Sequence, residues 1–193
     1  MDENYVYEQV AYLSNIACQR MNDFSTQILR TRGGRIGSGM GALLEALWGY
    51  MMNQIISQET SLDCEIAWFP NNQYNDFSCI RRDEVWDATS RTGEYFRIEA
   101  KSMNIGADES KAHFAALDSE IEPNDALLIL VWEWRKIDDF HFSPIVIDSF
   151  SIGQKVLLHC EMHFISHVAA LLLIPLIVQM DVCLTVAHIM ANR

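Results

Sequence analysis

Between residues 76 and 101 the chain reads DFSCIRRDEVWDATSRTGEYFRIEAK, and it places an aspartate, a glutamate and a lysine where one fold element could gather them. The residues of interest are Asp76, Glu99 and Lys101. Two carboxylates and an ammonium converging on one spot suit metal-assisted hydrolysis of a phosphodiester. Hard oxygen ligands favour Mg²⁺, which binds through one or two carboxylates plus substrate phosphate and keeps several waters. The ion polarises a phosphoryl oxygen and acidifies a bound water, and a neighbouring ammonium orients that water and offsets developing charge.

The element that must hold them is a β-hairpin. From 93 to 102 the residues alternate, with Tyr95, Arg97, Glu99 and Lys101 on one face and Phe96, Ile98 and Ala100 on the other. That two-residue period predicts a half-buried strand with a polar face. Residues 76–80 form a second β-prone run, and the turn-rich segment 86–93 joins the two. A turn centred near residue 89 sets Glu99 opposite the neighbourhood of residue 79 and Lys101 opposite that of residue 77. Asp76 is within about a residue of that level, whereas Asp83 and Asp87 fall toward the hairpin tip.

Asp76 followed by Glu99-Ala100-Lys101 on the next strand resembles the PD-(D/E)xK signature of restriction-endonuclease-like nucleases. The surrounding order of a helix, three strands, a helix and a further strand also resembles that fold over roughly residues 40–135. The resemblance implies Asp76 and Glu99 as metal ligands for Mg²⁺, with the Ala100 carbonyl assisting and Lys101 positioning or activating the water. It also implies a glutamate from the preceding helix, a placement that Glu45 in LLEALWGY matches. Asn75 stands where the signature has proline. The segment 107–120 lacks the QxxxY pattern of the exonuclease-like branch, which leaves a type II restriction endonuclease as the nearer likeness.

The whole chain is consistent with one domain. Its 193 residues are 50% hydrophobic and 21% charged, enough to bury a sizeable core. We divide it into a helical N-terminal part (1–58), a motif-bearing core (59–150) and a C-terminal helical or apolar segment (151–193) of a single nuclease-like domain. Apolar spacing at threes and fours predicts a helix over 5–29 and another over 40–57. Strands are expected over 62–69 and 126–132, the latter continuous enough to be central and buried on both faces. A short strand is expected at 145–147, and helices over 107–120 and 152–167. The fold class expected is α/β, a restriction-endonuclease-like mixed sheet flanked by helices.

Other features carry less chemistry. The glycine-rich 31–39 linker matches neither GxGxxG nor GxxxxGK[ST] and reads as a helix–helix turn, although its backbone N–H groups suit a phosphate. His159, His163 and His167 share a helix face and read as semi-exposed, with a transition-metal site as the sharper alternative. HCEMH is not the zinc-protease HExxH. The five cysteines have no framework spacing and read as free thiols. The acidic start lacks a signal-peptide pattern, and the apolar 168–178 run is short for a membrane span, so a cytoplasmic location with no membrane partner is expected. That run reads as a buried terminal element or a subunit interface.

A net charge of −12 argues against binding nucleic acid through bulk charge. The arginines nevertheless group, with Arg20, Arg30, Arg32 and Arg35 early and Arg81, Arg82, Arg91 and Arg97 on the hairpin. The expectation is a Mg²⁺-dependent endonuclease acting on duplex DNA, working as a homodimer whose two-fold symmetry suits a palindromic site. A non-catalytic interaction module with the same fold is the alternative.

Overall fold

A computed structural model describes residues 1–33, 39–69, 74–106, 122 and 124–153. The elements run α1 (Glu3–Ile28), α2 (Met40–Ile56), β1 (Cys64–Trp68), β2 (Phe77–Arg81), β3 (Glu94–Asn104), β4 (Ala126–Lys136) and β5 (Phe142–Gly153). The five strands form one mixed sheet in chain order. Every neighbouring pair is antiparallel except β3–β4, which is parallel. The chain is thus α/β, with both described helices packed on a mixed sheet.

α1 begins at Asp2, whose side chain accepts the Asn4 N–H, satisfying one of the free donors of the first turn. Its buried stripe of Val6, Val10, Leu13, Ala17 and Met21 follows the helical period. α2 is almost uncharged and buries Leu44, Leu47, Trp48 and Met52. Trp48 Nε1 donates to Ser14 Oγ at 2.9 Å, joining the helices through a buried bond. Both helices share one core cluster with Phe96, Ile98 and Ala100 of β3 and Leu128, Leu130 and Trp132 of β4. The opposite sheet face carries a smaller cluster of Met103, Leu127 and Ile129, with Tyr74 and Val131 against it.

The backbone at two outward positions of the sheet is occupied by asparagine amides. Asn53 of α2 donates to the Ile66 carbonyl and accepts the Ile66 N–H, each at 2.7 Å. Asn22 of α1 does the same for Val146 of β5, at 2.7 and 2.8 Å. Thr31 pairs with Phe142 farther along β5. Unpaired edge groups would otherwise invite another strand.

Several expectations shift. The face of β3 expected to be polar is not solvated: Tyr95 is 4% and Glu99 2% exposed. β4 is interior and buried on both faces at its start, as expected, but extends four residues past Trp132 to Lys136. β5 spans 12 residues instead of the 145–147 expected, and includes the first residues assigned to a helix over 152–167. Cys18, Cys64 and Cys79 are free and buried. The turn 70–73, the helix at 107–120, the rest of the 152–167 helix, the apolar run 168–178, the three histidines, and Cys160 and Cys183 lie outside the described residues. Among the described residues, no helix is long and apolar enough to cross a membrane.

Candidate active site

The hairpin register decides which acid faces Glu99. Phe77 pairs with Ile98 and Ser78 with Arg97, so one further step along the ladder sets Asp76 opposite Glu99. The sequence arithmetic set Asp76 within about a residue of the Glu99 and Lys101 level, from a register three positions off. Two irregularities account for the offset. Residues 82–86 loop out between the Arg81–Gly93 bond and the Asp87–Thr92 bridge, and a bulge between Cys79 and Ile80 leaves Tyr95 without a partner. Gly93, at φ 78°, turns the chain back beneath Val85, where a Cβ would lie 3.0 Å from the Val85 carbonyl oxygen. Asp87 stays at the tip.

β2 ends its pairing as β3 continues, and side chains take over the ladder. The Asp76 N–H donates to the Ile98 carbonyl at 3.1 Å, and Asp76 Oδ2 accepts the Ala100 N–H at 2.9 Å. Because N–H and C=O of one strand residue point the same way, the Ala100 carbonyl also faces this opened side. One position on, Ser102 hydrogen-bonds the Glu45 carboxylate through its side chain and backbone. α2 reaches this position because Gly41 lies directly on Ser102: a Cβ there would be 2.2 Å from Ser102 Oγ. Gly41 and Glu45 are one turn apart on the same helix face.

Asp76, Glu99, Lys101 and Glu45 therefore share one electrostatic environment. Lys101 Nζ donates to Glu99 Oε1. Glu99 Oε2 is buried with no hydrogen-bond partner. Burial pushes the Glu99 carboxyl up to about 7; the bond from Lys101 opposes this, while the charges of Asp76 and Glu45 add to it. Burial also raises Asp76, against the Ala100 N–H and Lys101. It raises Glu45 too, against the Ser102 bond and with repulsion from Asp76. Three carboxyls are pushed the same way by burial, and Glu45 and Glu99 also by the charge of Asp76, so the site is short of positive charge.

The donor set fits a hard divalent cation in kind: carboxylates of Asp76 and Glu99 and the Ala100 carbonyl, with one buried carboxylate oxygen unused. As placed, no three His, Cys, Asp or Glu side chains among the described residues are gathered closely enough to hold a metal ion. Asp76 accepts the Ala100 N–H and Glu99 Oε1 the Lys101 ammonium, and Ser102 lies beside the Glu45 carboxylate.

Ser102 and Gly41 are site residues that the sequence reading missed. The signal for Ser102 is its position directly after Lys101, and for Gly41 its four-residue spacing from Glu45. All four hairpin arginines are engaged by neighbouring groups, Arg82 through the Cys64 carbonyl. Arg97 bonds Glu94 and the Ala88 carbonyl, Arg91 pairs with Glu94, Glu122 and Asp125, and Arg81 stacks on Tyr95. No family model matches the chain, and no curated protein matches it.

Proposed function

We propose that the chain is a Mg²⁺-dependent endonuclease of the restriction type that hydrolyses phosphodiester bonds of duplex DNA as a homodimer, with a restriction-endonuclease-like fold. The observation that carries this reading is the buried, unpartnered Glu99 Oε2 beside Asp76, Lys101 and Glu45 at the point where β2 leaves β3. Asp76, Glu99 and the Ala100 carbonyl would hold the metal. When bound, the ion supplies Lewis acidity at the phosphoryl oxygen and acidifies water. The chain's own part is to fix these oxygens on a rigid strand and keep Glu99 dry. It also holds the Lys101 ammonium within reach of both the carboxylate and an incoming water, where it offsets charge on the phosphorane-like transition state. Glu45, anchored by Ser102, stands ready as a proton acceptor on the helix side.

A second reading, a non-catalytic module with a nuclease-like fold, draws on Lys101 neutralising Glu99 internally and on the net charge of −12. One assay separates the two. Purified protein with millimolar Mg²⁺ at low salt is incubated with plasmid DNA beside Lys101→Ala and Glu99→Gln. The nuclease reading expects Mg²⁺-dependent cleavage by the wild type, with each variant slower by about 10²-fold or more. Folded wild type that leaves the duplex intact, or equal cutting by all three, overturns it.

A further inference from the structure

Asn75 precedes Asp76 and is 6% exposed. Its Nδ2 donates to Asp125 Oδ2 at 3.3 Å. Asp125, 2% exposed at the start of β4, also accepts the Glu122 N–H at 3.0 Å on that oxygen, and on Oδ1 accepts Arg91 NH2 at 3.2 Å. Arg91 in turn holds Glu94 and Glu122. It has φ 61°, a left-handed conformation that is strained for a residue bearing a side chain and persists where surroundings enforce it. A chain of polar contacts thus runs from the hairpin tip through Asp125 to the residue before the site aspartate.

We propose that Asn75 is a positioning residue for Asp76, braced by an Asp125–Arg91 strut. The inference rests on Asp76 being a working member of the site, and it deepens that reading. Asp76 lies just before β2, where its N–H donates to the Ile98 carbonyl at 3.1 Å and its own carbonyl accepts the Phe69 N–H at 3.3 Å. Its carboxylate must nevertheless stay aimed at the Ala100 N–H. Asn75 adds a constraint from a further direction: its buried amide is bonded to the Asp125 carboxylate just before β4, the strand beyond β3. The anchor is therefore independent of the bond it steadies. A buried amide on a charged acceptor is stronger than a neutral pair and specific in direction. Arg91 orients Asp125 through its guanidinium bond, and the cost of its backbone conformation is offset by contacts to three carboxylates.

The test separates this inference from the nuclease reading by reading the Asp76–Ala100 bond itself. Amide hydrogen exchange is followed in metal-free wild type, Asn75→Ala and Asp125→Asn. The expected result is exchange at Ala100 faster by about tenfold in both variants, the equivalent of one hydrogen bond, while Leu128 and Leu130 in β4 keep their protection. In parallel, the Mg²⁺ concentration for half-maximal cleavage rises several-fold and kcat falls, with KM for DNA unchanged. Unchanged Ala100 exchange in both variants overturns the positioning role. Uniformly faster exchange through β4 also overturns it, because it marks a merely structural bond. Wild type that does not cut DNA, with Ala100 exchange still selectively raised by the variants, overturns the nuclease reading and leaves the strut standing.

Discussion

Asp76 Oδ2 lies 2.9 Å from the Ala100 N–H, so a carboxylate stands on the rung of the β2–β3 ladder where a strand would have placed a carbonyl. This substitution ends the pairing and leaves the next stretch of β3 open on one side. Glu99, Lys101 and Glu45 collect around that opening.

The metal-free protein should be more stable at pH 5 than at pH 8. Burial pushes the Glu99 carboxyl from its usual 4.5 up to about 7, so the folded state holds this proton more tightly than the unfolded chain. Its stabilising contribution is complete below pH 4.5 and is lost as pH rises through 7, amounting to about 3 kcal/mol at most. Asp76 and Glu45 are raised as well and act in the same sense. Asp138, lowered to about 2, exerts its opposite effect below this window. Thermal melts across pH 5–8 should show a falling Tm that Glu99→Gln flattens and that Mg²⁺ restores in the wild type. A Tm independent of pH in that range would contradict the burial of Glu99.

Gly41→Ala should change sign with its neighbour. The new Cβ would meet Ser102 Oγ at 2.2 Å, forcing that hydroxyl away from Glu45, whereas Ser102 Cβ is an acceptable 3.5 Å away. In the wild-type background the substitution should destabilise by about 1 kcal/mol despite the better helix propensity of alanine. In a Ser102→Ala background it should stabilise by about 0.5–1 kcal/mol. Urea unfolding of the four proteins measures the coupling, and additivity would show that α2 does not rest on Ser102.

Arg97→Gln should act on the fold. Its guanidinium bonds Glu94, which is 7% exposed, at 2.8 Å and the Ala88 carbonyl at 2.6 Å. Removing one partner of a buried pair leaves a charge without compensation; with Arg91 and Trp86 still on Glu94, we expect a loss of about 2–3 kcal/mol. Denaturant titration should detect it. Unchanged stability with weakened DNA binding would instead make Arg97 a phosphate contact.

Asn53→Ala and Asn22→Ala should each lose two hydrogen bonds to a strand edge, a cost of about 1–3 kcal/mol. Replacement by leucine should also promote self-association through the exposed edge, visible in sedimentation velocity. Variants as stable as the parent and unchanged in oligomeric state would show that the amides are dispensable.

Much of the architecture was legible because it rests on local periodicity. Both helices lie within two residues of the ranges expected, and β2 and β3 coincide with the alternating runs. β5 was underestimated because Ser143, Pro144, Asp148, Ser149 and Ser151 interrupt its apolar pattern. An edge strand tolerates them, with Pro144 requiring no N–H partner. β4 outruns its apolar segment because Glu133, Arg135 and Lys136 continue the strand past the core. Candidate acids could be named from sequence, but their surroundings could not: the burial of Glu99 depends on a second sheet face, and Ser102, Asn75 and Asp125 make contacts between distant elements. The grouping of the hairpin arginines in sequence does not distinguish an exposed basic surface from an ion-paired scaffold; in the structure Arg81, Arg91 and Arg97 are ion-paired.

The bulge at Tyr95 and the loop-out of 82–86 divide the hairpin tip into two parts. Together they uncouple the length of the 82–85 loop from the Phe77–Ile98 pairing that sets Asp76 against Glu99. Val85, 84% exposed, marks where a side chain can be exchanged without moving the carboxylates. Trp86 and Arg91, which hold Glu94 and Asp125, are the part of the tip that cannot change so freely.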